Sequence, residues 1–286
     1  MSIHLHLGAH KTATTHIQAI LRENAPRLAA AGLEWAPPSE LRALIGRGRT
    51  AAAQMAPIPS LRAAVAAERL RRWARGRTRL ILSDENSLGL TTEMMETGAL
   101  YPAARARLRL LRNAARGRPL AVFLAIRDYA PFFTGVHAQS IRDGAALALT
   151  ERDLRRLAAL PRRWPNVIAD IRRALPGAAL TIWRFEDYGA LKAEIPRLIT
   201  GIDDLAPHRR VSMRTPSAPA IEAIFAAAAA RPDGRIPKED YARLRQSIDG
   251  PRYMPFDERR QARMSAVYAE DIAALKAVPD IAFIEP

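Results

Sequence analysis

The stretch Leu5-His-Leu-Gly-Ala-His-Lys-Thr-Ala-Thr-Thr-His16 decides how the rest of the chain is read. Ile3, Leu5 and Leu7 alternate with His4 and His6, the period-two pattern of a strand. The strand meets Gly8 and a loop holding His10, Lys11, Thr12, Thr14 and Thr15. Ile17, Ile20, Leu21 and Leu28 then recur at helical spacing. Where a helix starts straight after a strand, its first backbone N–H groups point into the loop and favour an anion. Lys11 adds a charge and the threonines add hydroxyl donors, so the loop predicts phosphate or sulfate.

The same alternation continues along the chain. Residues 79–83, 120–126 and 179–183 read as further buried strands, with helices expected between them. Pro26 divides the first helical stretch in two, and Gly32 ends it. Residues 37–60 are rich in Pro, Gly and Arg and read as irregular, with Ser60 capping a helix to about Arg75. Further helices are expected over 102–116, from Arg127 to Arg142, over 166–175 and over 186–200. Thr150-Glu-Arg-Asp153 has the form of a capping box. Beyond residue 205 only helical patterns appear, over 216–231, 237–248 and 257–276. Strands alternating with helices imply a central parallel sheet covered on both faces, an α/β fold in three layers. The expected organisation is an α/β core over 1–205 and a helical C-terminal annex over 206–286.

Composition narrows the class. The chain has 286 residues, 49% hydrophobic and 26% charged. No apolar run approaches the ~20 residues of a membrane helix. The first residues read as a strand and not as a secretory leader, which sets the expectation of a cytoplasmic, bacterial protein. With no cysteine, disulfides, thiolate zinc sites and cysteine nucleophiles are excluded. The net charge is +15, and only Lys11, Lys192, Lys238 and Lys276 are lysines, leaving 44 − 4 = 40 arginines. Arginines this dispersed, without interleaved aromatics, read as solvated helix faces in an Ala- and Arg-rich composition. No helix-turn-helix, zinc or aromatic-platform pattern points to specific nucleic-acid binding.

The loop is not a Walker A sequence. Counting G-x-x-x-x-G-K-[ST] from Gly8 places Ala13, Thr14 and Thr15 at the last three defined positions, so the lysine sits three places early. That displaced lysine resembles the phosphosulfate loop of sulfotransferases, which use 3′-phosphoadenosine 5′-phosphosulfate (PAPS) and have a P-loop-like fold. A bacterial branch carries H-I-G-x-H-K-T-G-T-T before a helix with I-Q. Here His6-Leu-Gly-Ala-His-Lys-Thr-Ala-Thr-Thr15 precedes Ile17-Gln18, with Ala13 in place of the family's Gly. Leu82-Ser-Asp-Glu-Asn86 resembles the branch's next strand exit, and Arg184-Phe-Glu-Asp187 a later one. Phe123-Leu-Ala-Ile-Arg127 resembles the strand entering the 3′-phosphate motif, whose Ser falls on Gly135, with Thr134 one place before.

The resemblance implies a set of roles. Lys11 stabilises charge on the bridging oxygen, while Gly8, His10, Thr12, Ala13, Thr14 and Thr15 line the donor loop. Arg127, with Thr134 or Gly135 and with Arg214 from a later loop, meets the 3′-phosphate. Glu85 is the first candidate for the base, His10 the second. No metal is required, and the acceptor is a small-molecule, glycan or lipid hydroxyl or amine. Two alternatives stay open. Leu80-Ile-Leu-Ser-Asp-Glu85 has the look of a Walker B strand and would suit an Mg·ATP-dependent NTPase or kinase. A degenerate sulfotransferase fold that binds nucleotide without transfer is the other.

Overall fold

The computed structural model describes residues 1–45, 68–72, 75–115, 117–143, 148–209 and 215–286. The first strand, β1 (Ser2–His6), lies between β3 (Arg79–Ser83) and β4 (Leu120–Ile126). Strand β2 (Leu33–Ala36) flanks β3, and β5 (Ala179–Arg184) and β6 (Ile281–Ile284) follow β4. The order is β2-β3-β1-β4-β5-β6, and every pair is parallel. Ile3 stands opposite Leu80 on one side and Leu120 on the other.

Helices cover both faces, as parallel strands buried on both sides require. One face carries Leu5, Leu82, Leu124 and Ile182. They pack against α5 (Ala104–Ala115), α6 (Tyr129–Arg142), α8 (Trp164–Ala174) and α12 (Glu258–Lys276). The other carries Ile81, Phe123 and Trp183, which pack against α1 (Thr14–Glu23), α2 (Ala25–Ala30) and α9 (Glu194–Thr200). A third apolar cluster joins the end of α6 to α10 (Ala218–Ala229) and α11 (Lys238–Ser247). The expected three-layer arrangement is therefore present.

Several local readings hold. Pro26 sits in the first turn of α2, where its missing N–H costs nothing. Thr150 caps α7 (Glu151–Ala158) through a reciprocal bond with Asp153. Others need correction. Residues 37–60 are not irregular throughout, because α3 spans Pro38–Ile45. The helix expected over 186–200 is a short 3-10 turn at Phe185–Asp187 followed later by α9. The tail beyond 205 is not helical only: β6 adds an edge strand beside β5. Strands β2 and β6 escaped notice because each has only four residues, too few for alternation to register. Ser60, Trp73, Arg116, Gly144 and Arg214 lie outside the described residues.

The connection after β3 carries a buried polar bracket. Asp84 caps a 3-10 turn at Glu85–Ser87, and α4 (Thr91–Thr97) follows. Arg107 on α5 pairs with Glu93 on α4 at 2.8 Å, with side chains 8% and 5% exposed. Arg107 also donates to the Asn86 carbonyl. Removing one member strands the other charge in the interior. Arg107→Ala should lower unfolding free energy by about 3–5 kcal/mol in urea titration, whereas the paired change Glu93→Leu with Arg107→Leu should cost far less. Equal losses in both proteins would refute the bracket's role.

Candidate functional site

Every strand exit meets at one edge of the sheet, and the loop after β1 stands at its centre. Gly8, Lys11 and Ala13 all take left-handed backbone conformations, with φ of 43°, 63° and 65°. At Gly8 a side chain is impossible, since a Cβ would lie 2.4 Å from Thr14 Oγ1. Ala13 is the N-cap of α1 and offers no side-chain cap. Such left-handed turns direct successive N–H groups into one concavity, an anion-binding nest. Ala13 adopts a positive φ that glycine takes freely, and its Cβ carries the strain.

The three threonines divide their work. Thr12 and Thr14 are buried and donate to the Ala9 carbonyl, at 2.6 and 3.3 Å. Their hydroxyl protons brace the loop from inside and do not face a ligand. Thr15 is exposed at the start of α1. His10 is likewise internal. Its backbone N–H donates to Tyr101 Oη (2.8 Å), Nδ1 lies 3.0 Å from the same oxygen, and Nε2 lies 3.1 Å from Asn86 Oδ1. Burial pushes the imidazole down to about 4. With both ring nitrogens engaged, His10 has no free nitrogen to act as a base.

Lys11 runs along α6 instead of turning back onto its own loop. Its aliphatic chain lies over Gly135 of α6, where an added Cβ would sit 2.8 Å from Lys11 Cγ. Any side chain at this position would displace the lysine, so Gly135 is a seat for it. Burial lowers the Lys11 ammonium to about 8, and Arg142, Arg245, Arg127 and Arg252 push the same way. Among the described residues it has no carboxylate partner. Four arginines act on this amine with like charge, one of them, Arg142, itself paired with Asp143 at 3.0 Å, and their sum favours an anion beside Lys11.

Arg127, at the exit of β4, donates through Nη1 to the Lys11 carbonyl at 2.6 Å. Its guanidinium lies 4.4 Å over the Phe185 ring, and its buried Nε has no partner. Burial brings it down to about 10, with Arg252 acting in the same sense and Glu186 opposing. Arg127, Pro131, Phe185, Glu186, Tyr188 and Arg252 line a cleft of about 410 Å³ beside the loop. Thr134 takes no part. It is fully buried and donates back to Ala130 within its own helix.

Glu85 stands at the exit of β3, its side chain 20% exposed, paired with Arg42 at 3.3 Å and touched by Gln18 Nε2 at 3.5 Å. Asp84 beside it is buried and grips Arg42 with both oxygens. The structure thus brings Gly8, Lys11, Ala13, Thr15, Arg127 and Gly135 together, places Glu85 at the adjoining exit, and turns His10, Thr12, Thr14 and Thr134 inward. Sequence reasoning missed Arg42, Tyr101, Glu186 and Arg252. No pattern could single out two more arginines among forty. Among the described residues no group of three or more His, Asp and Glu is placed to hold a metal ion. No family model matches the chain, and neither a curated protein nor a solved structure matches it.

The Lys11 environment has a thermodynamic signature. Its folded pKa lies below the reference 10.5, so between about 8 and 10.5 the unfolded chain binds more protons and stability rises with pH. Lys11→Met should remove that rise and, at pH 7, stabilise the ligand-free protein by roughly 1–3 kcal/mol. Carbon-13 NMR of the reductively methylated chain should show Lys11 titrating near 8. A midpoint near 10.5, or a destabilised Lys11→Met, would contradict the site as described.

Proposed function

We propose that the chain is a sulfotransferase of P-loop-like fold that takes PAPS as donor. The observation that carries this reading is Lys11: a mid-loop lysine whose chain is seated on Gly135, its ammonium lowered by burial and by the like charges of Arg142, Arg245, Arg127 and Arg252. A nucleoside triphosphate loop places its lysine at the helix entry, where this chain has Thr14 and Thr15. Its acidic partner at the next strand exit must also be free to work through a cation. Here Asp84 is committed to Arg42. A lysine in mid-loop instead reaches the oxygen that bridges sulfur and phosphorus.

The residues fit such a donor in part. The amides of the left-handed loop, Lys11 and the outward Thr15 suit the 5′-phosphosulfate, and Arg127 with its unpartnered Nε suits the 3′-phosphate. Thr12, Thr14 and Thr134 do not serve as ligands. The chemistry supplied is transfer of a sulfuryl group: an acceptor oxygen or nitrogen bonds to sulfur as the sulfur–oxygen bond to phosphate breaks. Lys11 stabilises the charge left on the phosphate oxygen. The acceptor's proton goes to Glu85, a carboxylate at this edge that keeps some exposure. The acceptor is a hydroxyl or amine of a small molecule, glycan or lipid.

The Arg42 and Gln18 contacts of Glu85 favour one second reading, a protein that binds the nucleotide without transferring from it. Thermal denaturation separates the possibilities. At a hundredfold excess over Kd, metal-free 3′-phosphoadenosine 5′-phosphate should raise Tm by roughly 5–10 °C. Lys11→Met should abolish the shift. Stabilisation by Mg·ATP alone would overturn the proposal. Binding without turnover against a panel of hydroxyl and amine acceptors would leave the second reading.

Glu85→Gln provides the finer test. It should lower transfer at least tenfold and leave the nucleotide shift intact. Unchanged turnover would remove Glu85 as the base.

A further inference from the structure

The backbone of Tyr101 is held where an aromatic residue does not rest by choice. Its φ is 48°, and its side chain is fully buried. A bulky residue in the left-handed region is a true outlier, and such strain persists only where the surroundings over-determine it. The ring is wedged against Phe132 and Trp164, with centroids 6.1 and 6.3 Å away. Gly89 leaves it room, since a Cβ there would lie 3.2 Å from Tyr101 Cδ1. All of this delivers one hydroxyl to one place: Tyr101 Oη accepts the His10 backbone N–H at 2.8 Å and sits 3.0 Å from His10 Nδ1.

The hydrogen-bond directions are set by elimination. Asn86 Oδ1 only accepts, so His10 Nε2 carries the proton. Nδ1 therefore accepts, and Tyr101 donates to it while receiving the backbone N–H. We propose that Tyr101 is a positioning residue that locks the anion loop through His10. The Ala9–His10 peptide cannot rotate while its N–H is held, and with the His10 ring also pinned, the residue that leads into the left-handed turn at Lys11 is fixed on both its backbone and its side chain. The lock also withdraws the His10 amide from ligand binding and leaves the neighbouring amides to face the anion. Asn86, which holds the other side of the ring, comes from the bracket built on Arg107 and Glu93. This inference rests on reading residues 8–15 as an anion cradle and not on which anion enters it.

Tyr101→Phe removes the hydroxyl and keeps the ring. Two probes are used, 3′-phosphoadenosine 5′-phosphate and inorganic pyrophosphate, with amide hydrogen exchange of the full chain. Exchange at the His10 amide should quicken at least tenfold while β4 stays protected, and affinity for the binding probe should fall at least tenfold. A variant whose Tm drops while loop exchange and affinity stay at wild-type values overturns the lock. Nitrogen-15 NMR of the wild type gives a second, mutation-free measurement. His10 should be neutral at pH 7 with its proton on Nε2, and a proton on Nδ1 or a charged ring overturns the proposal. Should neither probe bind the wild type, the donor assignment falls while the exchange and tautomer readouts still decide the role of Tyr101.

Discussion

All strands of the sheet run in one direction, so all of their exits crowd one edge. That constraint builds the site. Lys11 follows β1, Asp84 and Glu85 follow β3, Arg127 ends β4, and Phe185 follows β5. Residues more than a hundred positions apart become neighbours because a parallel sheet has nowhere else to put its loops. The bond from Arg127 Nη1 to the Lys11 carbonyl closes the arrangement by tying the exit of β4 to the loop after β1. With β1 in the middle of the order, that loop has an exit on either side of it.

An edge so rich in cations must be held open against itself. Lys11, Arg127 and Arg252 repel one another, and burial sharpens the effect by removing water. Packing supplies the restraint. Phe185 lies under the Arg127 guanidinium, and Trp164 Nε1 donates to the Arg127 carbonyl at 2.8 Å. Helix α12 adds a further clamp: Tyr268 bonds Glu186, Ser265 bonds Asp128, and Tyr129 bonds Asp271. The C-terminal segment is thus part of the frame behind Arg127 as well as the source of β6. Rigidity and charge here oppose each other.

Polar groups around the loop fall into two sets with different duties. Thr12, Thr14 and His10 turn inward and fix the backbone. Thr15 is exposed, and the Lys11 chain lies against Gly135 and not against its own loop. Beneath them His6 is buried, bonded to Ser83 through Nδ1, with Nε2 unpartnered and the ring stacked on Trp183. Burial alone lowers it to about 3, so it stays neutral beneath the cationic loop.

The alternation of residues 3–7 and the short apolar runs at 79–83, 120–126 and 179–183 were enough to determine an α/β fold with a parallel sheet, because strands buried on both faces read as continuous apolar runs and helical patterns separate them. That residues 8–15 carry the chain from the first strand into the first helix was legible for the same local reason: strand, glycine, lysine and helix start are contiguous. The four-residue strands β2 and β6 were not, since so short a run has no period to read. Nor could the sequence say which hydroxyls face a ligand, that Gly135 is a seat for Lys11, or that Tyr101 reaches His10. Those facts depend on contacts between residues 91 or more positions apart, or on the turn of a single side chain. Local pattern sets what a segment becomes, and only the packing of segments against one another decides which way its polar groups point.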